Sequence, residues 1–197
     1  MNKAVFVDRD GTLNEMVYDE IHGTLDSPRR PEDVVLKPHA ADFIKCAHRH
    51  GYLVIVATNQ PGIARGTLSL KALTAVNDKL AARLAAEEAK WDELRFCPHA
   101  PGPAPAKNKY AVACECRKPR PGMLLAAARK FDIDLPSSWM LGDGLNDVQA
   151  GKNAGCQTML VTRLKIEQIE LFFSLDNCRP DFIVPDLGQA AEIIAEE

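Results

Sequence analysis

The sequence predicts an α/β fold, a doubly wound, mostly parallel Rossmann-like sheet with helices on both faces. Three observations predict it. Short apolar runs alternate with stretches of helical periodicity along the chain, which is the pattern of an open α/β sheet. The runs are continuously apolar, as expected of parallel strands covered on both sides. Polar clusters follow three of them directly, and open sheets of this kind bind ligands beyond the carboxyl ends of their strands.

The first strand is Ala4-Val5-Phe6-Val7, ending in Asp8-Arg9-Asp10-Gly11. Phe43, Ile44 and Ala47 place a helix over residues 40–50, with Gly51 as its stop. A second strand, Tyr52 to Ala57, ends in Thr58-Asn59-Gln60. Leu70, Leu73, Val76, Leu80 and Leu84 recur at helical spacing, predicting a long helix from about Ser69, its N-cap, to Trp91. Strand Leu94 to Cys97 follows, then a Pro-rich stretch over 98–121. Beyond it come a helix at 122–131, strand Trp139 to Leu141, a helix at 145–154, strand Thr158 to Val161, strand Phe182 to Val184 and a helix at 187–195. No repeat, low-complexity tract or linker interrupts this alternation, so a single domain over 1–197 is expected.

Composition narrows the class. The 197 residues carry 24 Lys+Arg against 27 Asp+Glu, a net charge of −3, and 46% are hydrophobic. A chain of this size buries roughly 70% of its unfolded surface, so it needs no disulfides. The charge balance gives no electrostatic footprint for nucleic acid or an anionic membrane. No apolar run approaches the roughly 20 residues of a membrane span, and Asp8 comes too early for a signal peptide. A cytoplasmic protein is expected, and a monomer. In a reducing compartment clustered cysteines point to metal rather than to disulfides.

Three polar clusters would converge on one rim of the sheet: Asp8-Arg9-Asp10-Gly11-Thr12, Thr58-Asn59-Gln60 and Gly142-Asp143-Gly144-Leu145-Asn146-Asp147. Two carboxylates so close together require a cation, and Gly11 permits the turn that brings them side by side. With Asp143 they make an all-oxygen set suited to Mg²⁺. The plain alternative is a pair of turn aspartates capping backbone.

Cys97-Pro98-His99 and Cys114-Glu115-Cys116 form a second constellation. Three thiols and an imidazole complete a tetrahedral Zn²⁺ site with no open position, a structural centre. The intervening segment carries four prolines at 98, 101, 103 and 105 and little that could form a core, so a loop of about 97–116 needs such a clip. Cys46, Cys156 and Cys178 read as packing residues. His22, His39, His48 and His50 show no partner in the sequence, Trp91 and Trp139 read as core or edge residues, and Arg29 and Arg30 read as solvated loop charges.

Asp8-Arg9-Asp10-Gly11-Thr12-Leu13-Asn14 resembles the first motif of the haloacid dehalogenase superfamily of aspartyl-phosphate phosphatases, and Thr58, Lys118 and Gly142-Asp143 stand where its later motifs fall. The resemblance implies Asp8 as nucleophile and Asp10 as general acid and base. It further implies that Thr58 and Lys118 bind the phosphoryl oxygens, and that Asp8, the backbone carbonyl of Asp10 and Asp143 hold Mg²⁺. Gly144 stands where many relatives carry a second acidic group, and Asp147 reads equally as an outer helper of the metal or as an ordinary first-turn helix acid.

Thr58 to Gly66, Cys97-Pro98-His99 and Cys116 to Met123 are together similar to the heptose 1,7-bisphosphate phosphatases, with histidinol phosphatases as near relatives. This implies removal of the 7-phosphate of D-glycero-D-manno-heptose 1,7-bisphosphate, with histidinol phosphate or another small polyol phosphate as the alternative. Asn59, Gln60, Pro61 and Arg117 would then contact substrate. Residues 15–37 match no corresponding segment. Residues 58–63 also resemble a stretch of DNA 3′-phosphatases, but the chain has no basic or aromatic strip to follow a strand. A silent binding module would have no physical reason to keep Asp8, Asp10, Thr58, Lys118 and Asp143 together.

Overall fold

The computed structural model describes residues 1–20, 23–102, 108–164, 167–171 and 178–196. Six parallel strands form the central sheet: β1 (Lys3–Val7), β4 (Tyr52–Asn59), β5 (Glu93–Cys97), β6 (Trp139–Gly142), β7 (Gln157–Val161) and β8 (Phe182–Val184). Their order is β5-β4-β1-β6-β7-β8, so the chain winds outward from β1 in both directions. That reversal puts β1 between β4 and β6, and places the ends of all three side by side.

Alternation along the strands sorts two cores. Val5, Val7, Val54, Val56, Leu141 and Met159 face one side and pack with α1 (Ala40–Arg49), α3 (Leu70–Ala86) and α6 (Leu187–Glu196). Ala4, Phe6, Ile55, Ala57 and Met140 face the other and pack with α4 (Gly122–Phe131). On that same side α5 (Leu145–Ala154) sets Val148 against Leu160 of β7. Both faces are covered, which is why the strand sequences are continuously apolar.

Several boundaries differ from the sequence reading. The helix expected over 69–91 stops at Ala86, because Glu88 turns into the left-handed region (φ 58°) and the Ala89 N–H returns to the Leu84 carbonyl at 2.9 Å. Its N-cap is as read: Ser69 Oγ accepts from the Ala72 N–H at 3.1 Å. Leu70, counted in the apolar stripe, is exposed, and the buried row is Leu73, Val76, Leu80 and Leu84.

A short helix α2 (Pro61–Arg65) follows β4 directly, started by Pro61 and ended by Gly66. Within 15–37, β2 (Val17–Asp19) pairs antiparallel with β3 (Thr24–Asp26), a hairpin the sequence did not signal because two of its apolar residues, Tyr18 and Leu25, are largely exposed. His48 and His50 do have partners, the Asp92 carboxylate and the Cys46 carbonyl, and the Cys46 thiol donates to the Ala191 carbonyl. Arg29 and Arg30 pair at the surface with Asp26 and Asp33. Trp139 is fully buried. His22, Pro103 and Pro105 lie outside the described residues. Among the described residues no helix is long and apolar enough to cross a membrane.

Candidate active site

The three polar clusters meet where β4, β1 and β6 end side by side. Asp8 leaves β1 with its N–H bonded to the Leu141 carbonyl of β6 at 2.9 Å. The next turn brings Gly11 (φ 85°) so close to Asp143 that a Cβ there would lie 2.2 Å from the Asp143 carboxylate. Gly142 is equally constrained, since a Cβ on it would meet the Asp147 side chain at 2.2 Å. Both positions need glycine for the carboxylates to converge. Carboxylate oxygens of Asp8, Asp143 and Asp147 lie within 4.8 Å of one another.

Lys118 enters this cluster from the loop before α4. Its buried ammonium lies 2.9 Å from Asp8 Oδ1 and 2.5 Å from Asp147 Oδ1, and donates to the Ala57 carbonyl at 2.6 Å. Burial alone would lower the Lys118 pKa, but the charges of Asp147 and Asp8 outweigh it and keep the amine protonated. Asp8 is pushed up to about 7, chiefly by burial, with Lys118 opposing and Asp147 and Asp10 adding to the rise. One buried cation among three carboxylates leaves a site short of positive charge. An all-oxygen set of this kind fits a hard divalent ion.

Asp147 is a first-turn acid of α5, accepting the Gly144 N–H at 3.1 Å, and it is buried against Lys118. Asn59 pairs with the backbone of Lys118 through both ends of its amide, at 3.0 and 3.1 Å, and so ties the lysine loop to β4. Thr58 is buried at the tip of β4.

The Asp10 side chain stands apart from the cluster of Asp8, Asp143 and Asp147. Its two oxygens accept from Arg9 Nε (2.9 Å), Arg9 Nη2 (2.8 Å), Asn14 Nδ2 (3.0 Å) and Gln60 Nε2 (2.7 Å). Burial raises its pKa, but the Arg9 charge and the bonds from Arg9, Asn14 and Gln60 win, and the carboxyl is held below its ordinary value. The Gln60 side chain therefore turns inward to Asp10 and Thr58. Pro61 opens α2, and Arg117 Nη1 donates to the His99 carbonyl at 3.2 Å.

Beside Arg117 the sulfurs of Cys97, Cys114 and Cys116 lie 3.1 to 3.5 Å apart, with His99 Nδ1 3.3 Å from Cys116 Sγ. All four ligand atoms fall within 4.8 Å of one another. Three thiols and an imidazole converging this closely fit a soft or borderline metal ion. Tyr110 packs on the His99 ring at 5.8 Å, and Asn108 donates to the Ile63 and Ala64 carbonyls, so the loop that carries these ligands braces α2.

A cavity of about 540 Å³ opens from Gly11, Thr12 and Asp143, walled by Leu25 of the hairpin, Lys37 and Arg163. Its size is that of a small-molecule site.

Over residues 115–190 the chain matches the family model of HAD-hydrolase-like proteins. It is 35% identical over 163 residues to a D-glycero-β-D-manno-heptose-1,7-bisphosphate 7-phosphatase of Haemophilus influenzae, covering 83% of each chain. The chain belongs to the heptose bisphosphate phosphatase family of haloacid dehalogenase-like enzymes. A Campylobacter jejuni phosphatase named for the α anomer is 32% identical over 180 residues, covering 90% of this chain and 92% of the relative. The crystal structure of a D,D-heptose 1,7-bisphosphate phosphatase from B. bronchiseptica, complexed with magnesium and phosphate, superimposes with a TM-score of 0.77 at 30% identity and covers 98% of both chains.

Three residues of this phosphatase's site carried no role in the sequence reading. Arg9 and Asn14 lie inside the quoted first motif, where an Arg between two carboxylates was itself a signal. Asn77, which accepts from Arg9 Nη1 at 2.6 Å, sits mid-helix on α3 and left no signal at all.

Proposed function

We propose that this phosphatase removes the 7-phosphate of D-glycero-D-manno-heptose 1,7-bisphosphate through an aspartyl phosphate on Asp8. The observation that carries the reading is Lys118, buried between Asp8 and Asp147 with Asp143 alongside. An anionic nucleophile meets an anionic ester only where fixed positive charge is already in place.

Mg²⁺ held by Asp8, Asp143 and the Asp10 carbonyl would supply the missing positive charge and orient the phosphoryl group. Lys118 and the Thr58 hydroxyl donate to the phosphoryl oxygens. An Asp8 oxygen attacks phosphorus in line, the bond from phosphorus to the sugar oxygen breaks, and Asp10, which must first take up a proton from solvent against the Arg9 charge that favours its ionised form, gives that proton to the departing oxygen. Asp10 then takes a proton from the water that attacks the acyl phosphate, which releases phosphate and restores Asp8. The sugar lies in the cavity between Asp143, the hairpin and Arg163, with residues 15–37 setting its fit. Arg117, held on the His99 carbonyl and outside the lining of that cavity, offers a planar donor only to a part of the substrate that extends beyond it. Cys97, His99, Cys114 and Cys116 would hold Zn²⁺, whose part there would be structural.

The test is phosphate release with Mg²⁺ from heptose 1,7-bisphosphate, set beside histidinol phosphate, for the wild type and Asp8→Asn. The wild type should prefer the heptose. Asp8→Asn should release nothing above background while keeping a cooperative unfolding transition. Substantial turnover by Asp8→Asn would remove Asp8 from the nucleophile's role.

A further inference from the structure

The Arg9 guanidinium is wholly buried and grips the carboxylate of its sequence neighbour side-on, Nε to Oδ1 and Nη2 to Oδ2. Its remaining arm, Nη1, donates to Asn77 Oδ1 on α3 at 2.6 Å. Gln60 Nε2 donates to the same Asp10 Oδ2 (2.7 Å) and to Thr58 Oγ1 (2.9 Å), and Asn14 Nδ2 donates to Asp10 Oδ1 (3.0 Å), so Arg9 shares each oxygen with one neutral donor. An unbroken chain of side-chain hydrogen bonds thus runs Asn77, Arg9, Asp10, Gln60, Thr58, from an outer helix to the rim of the sheet.

A single hydrogen bond leaves a carboxyl free to rotate about it. A two-pronged guanidinium contact fixes both oxygens and the plane of the group. The guanidinium itself sits at the end of a flexible stem, and Asn77 is the contact on α3 that fixes its plane in turn. Proton transfer requires the acid within hydrogen-bond reach of the leaving oxygen, and misplacement by about 1 Å costs about 10²-fold in rate.

We propose that Arg9 and Asn77 are positioning residues for the acid step, so that α3 sets the plane of the Asp10 carboxyl. This rests on the reading of Asp10 as the acid. A buried Arg–Asp pair kept for stability alone would change folding and leave the dependence on leaving group untouched.

Leaving-group dependence separates the two roles. The parameter kcat/KM reports steps up to transfer onto Asp8. Proton donation matters there for a sugar phosphate, whose alkoxide is strongly basic, and little for p-nitrophenyl phosphate, whose phenolate departs unaided. Asp10→Asn, as reference, should lower kcat/KM about 10²–10⁴-fold for the sugar phosphate and far less for the aryl ester. Asn77 is half-buried, and Asn77→Leu removes the acceptor for Arg9. That variant should lose about tenfold on the sugar phosphate and no more than about twofold on the aryl ester. Asn77→Asp, which keeps an acceptor oxygen, should recover most of the loss.

Unfolding temperatures identify any variant that is merely unstable, and Asn77→Ala replaces Asn77→Leu if the bulkier side chain unfolds the helix. If Asp10→Asn discriminates between the substrates while the Asn77 variants lower both equally, or neither, the positioning role is overturned. If Asp10→Asn lowers both equally, the acid assignment beneath it fails, a different and recognisable outcome.

Discussion

Lys118 concentrates the electrostatics of the site in one side chain. Lys118→Met removes the cation that faces the incoming phosphate and leaves Asp8 and Asp147 without it. We expect kcat to fall about 10²–10³-fold, as when one preorganised donor to a developing charge is lost. Steady-state kinetics with Mg²⁺ would show this, and a change confined to KM would count against a role in the chemical step.

Asp8 gives a pH prediction of definite sign. Its carboxyl ionises near 3.8 when unfolded and is raised to about 7 in the folded chain, chiefly by burial. Between these values the native state binds the proton and the unfolded state does not, so stability falls as pH rises across the window. Asp10, Asp33 and Asp181 are lowered instead and lose their contribution only as pH falls below the ordinary carboxylate range. Asp143, raised to about 6, and Asp147, also raised, both chiefly by burial, act in the same direction as Asp8. In magnesium-free buffer the unfolding temperature should therefore be lower at pH 8 than at pH 5, and Asp8→Asn should reduce the drop without abolishing it. A wild-type profile flat over that range would contradict it.

At the scale of elements, the strands and helices that build the two cores were legible because their apolar spacing is dictated by burial. Leu73, Val76, Leu80 and Leu84 identify α3 from the sequence alone. Its end was misplaced because no apolar residue marks the left-handed turn at Glu88. The hairpin β2–β3 escaped for a related reason: with Tyr18 and Leu25 exposed it has no buried face to impose a period.

The site itself was legible at strand ends, where Asp8, Thr58 and Asp143 must converge. The Asn77 contact depends on which face of α3 meets Arg9, a tertiary fact without a local signature. The four-ligand loop makes its own prediction. Replacing Cys116 with Ser should cost zinc and loosen residues 97–118, and because Asn59 and Arg117 tie that loop to β4 and His99, activity should fall with it. Elemental analysis is expected to give one zinc per wild-type chain and less in the variant. A wild-type chain without zinc would remove the metal from this loop.

At the scale of the molecule, winding outward from β1 in both directions sets three polar strand ends on one rim, and the hairpin and the Lys37 and Arg163 side chains wall the cavity beside them. The net charge of −3 leaves anion binding to local groups. The family relation and the site agree on a phosphatase, and the regiochemistry of release follows from which phosphate reaches Asp8. The direct test is ³¹P NMR of heptose 1,7-bisphosphate during turnover with Mg²⁺. The primary 7-phosphate signal should convert to inorganic phosphate while the anomeric 1-phosphate persists. Loss of the anomeric phosphate first, or no release from either position, would contradict it.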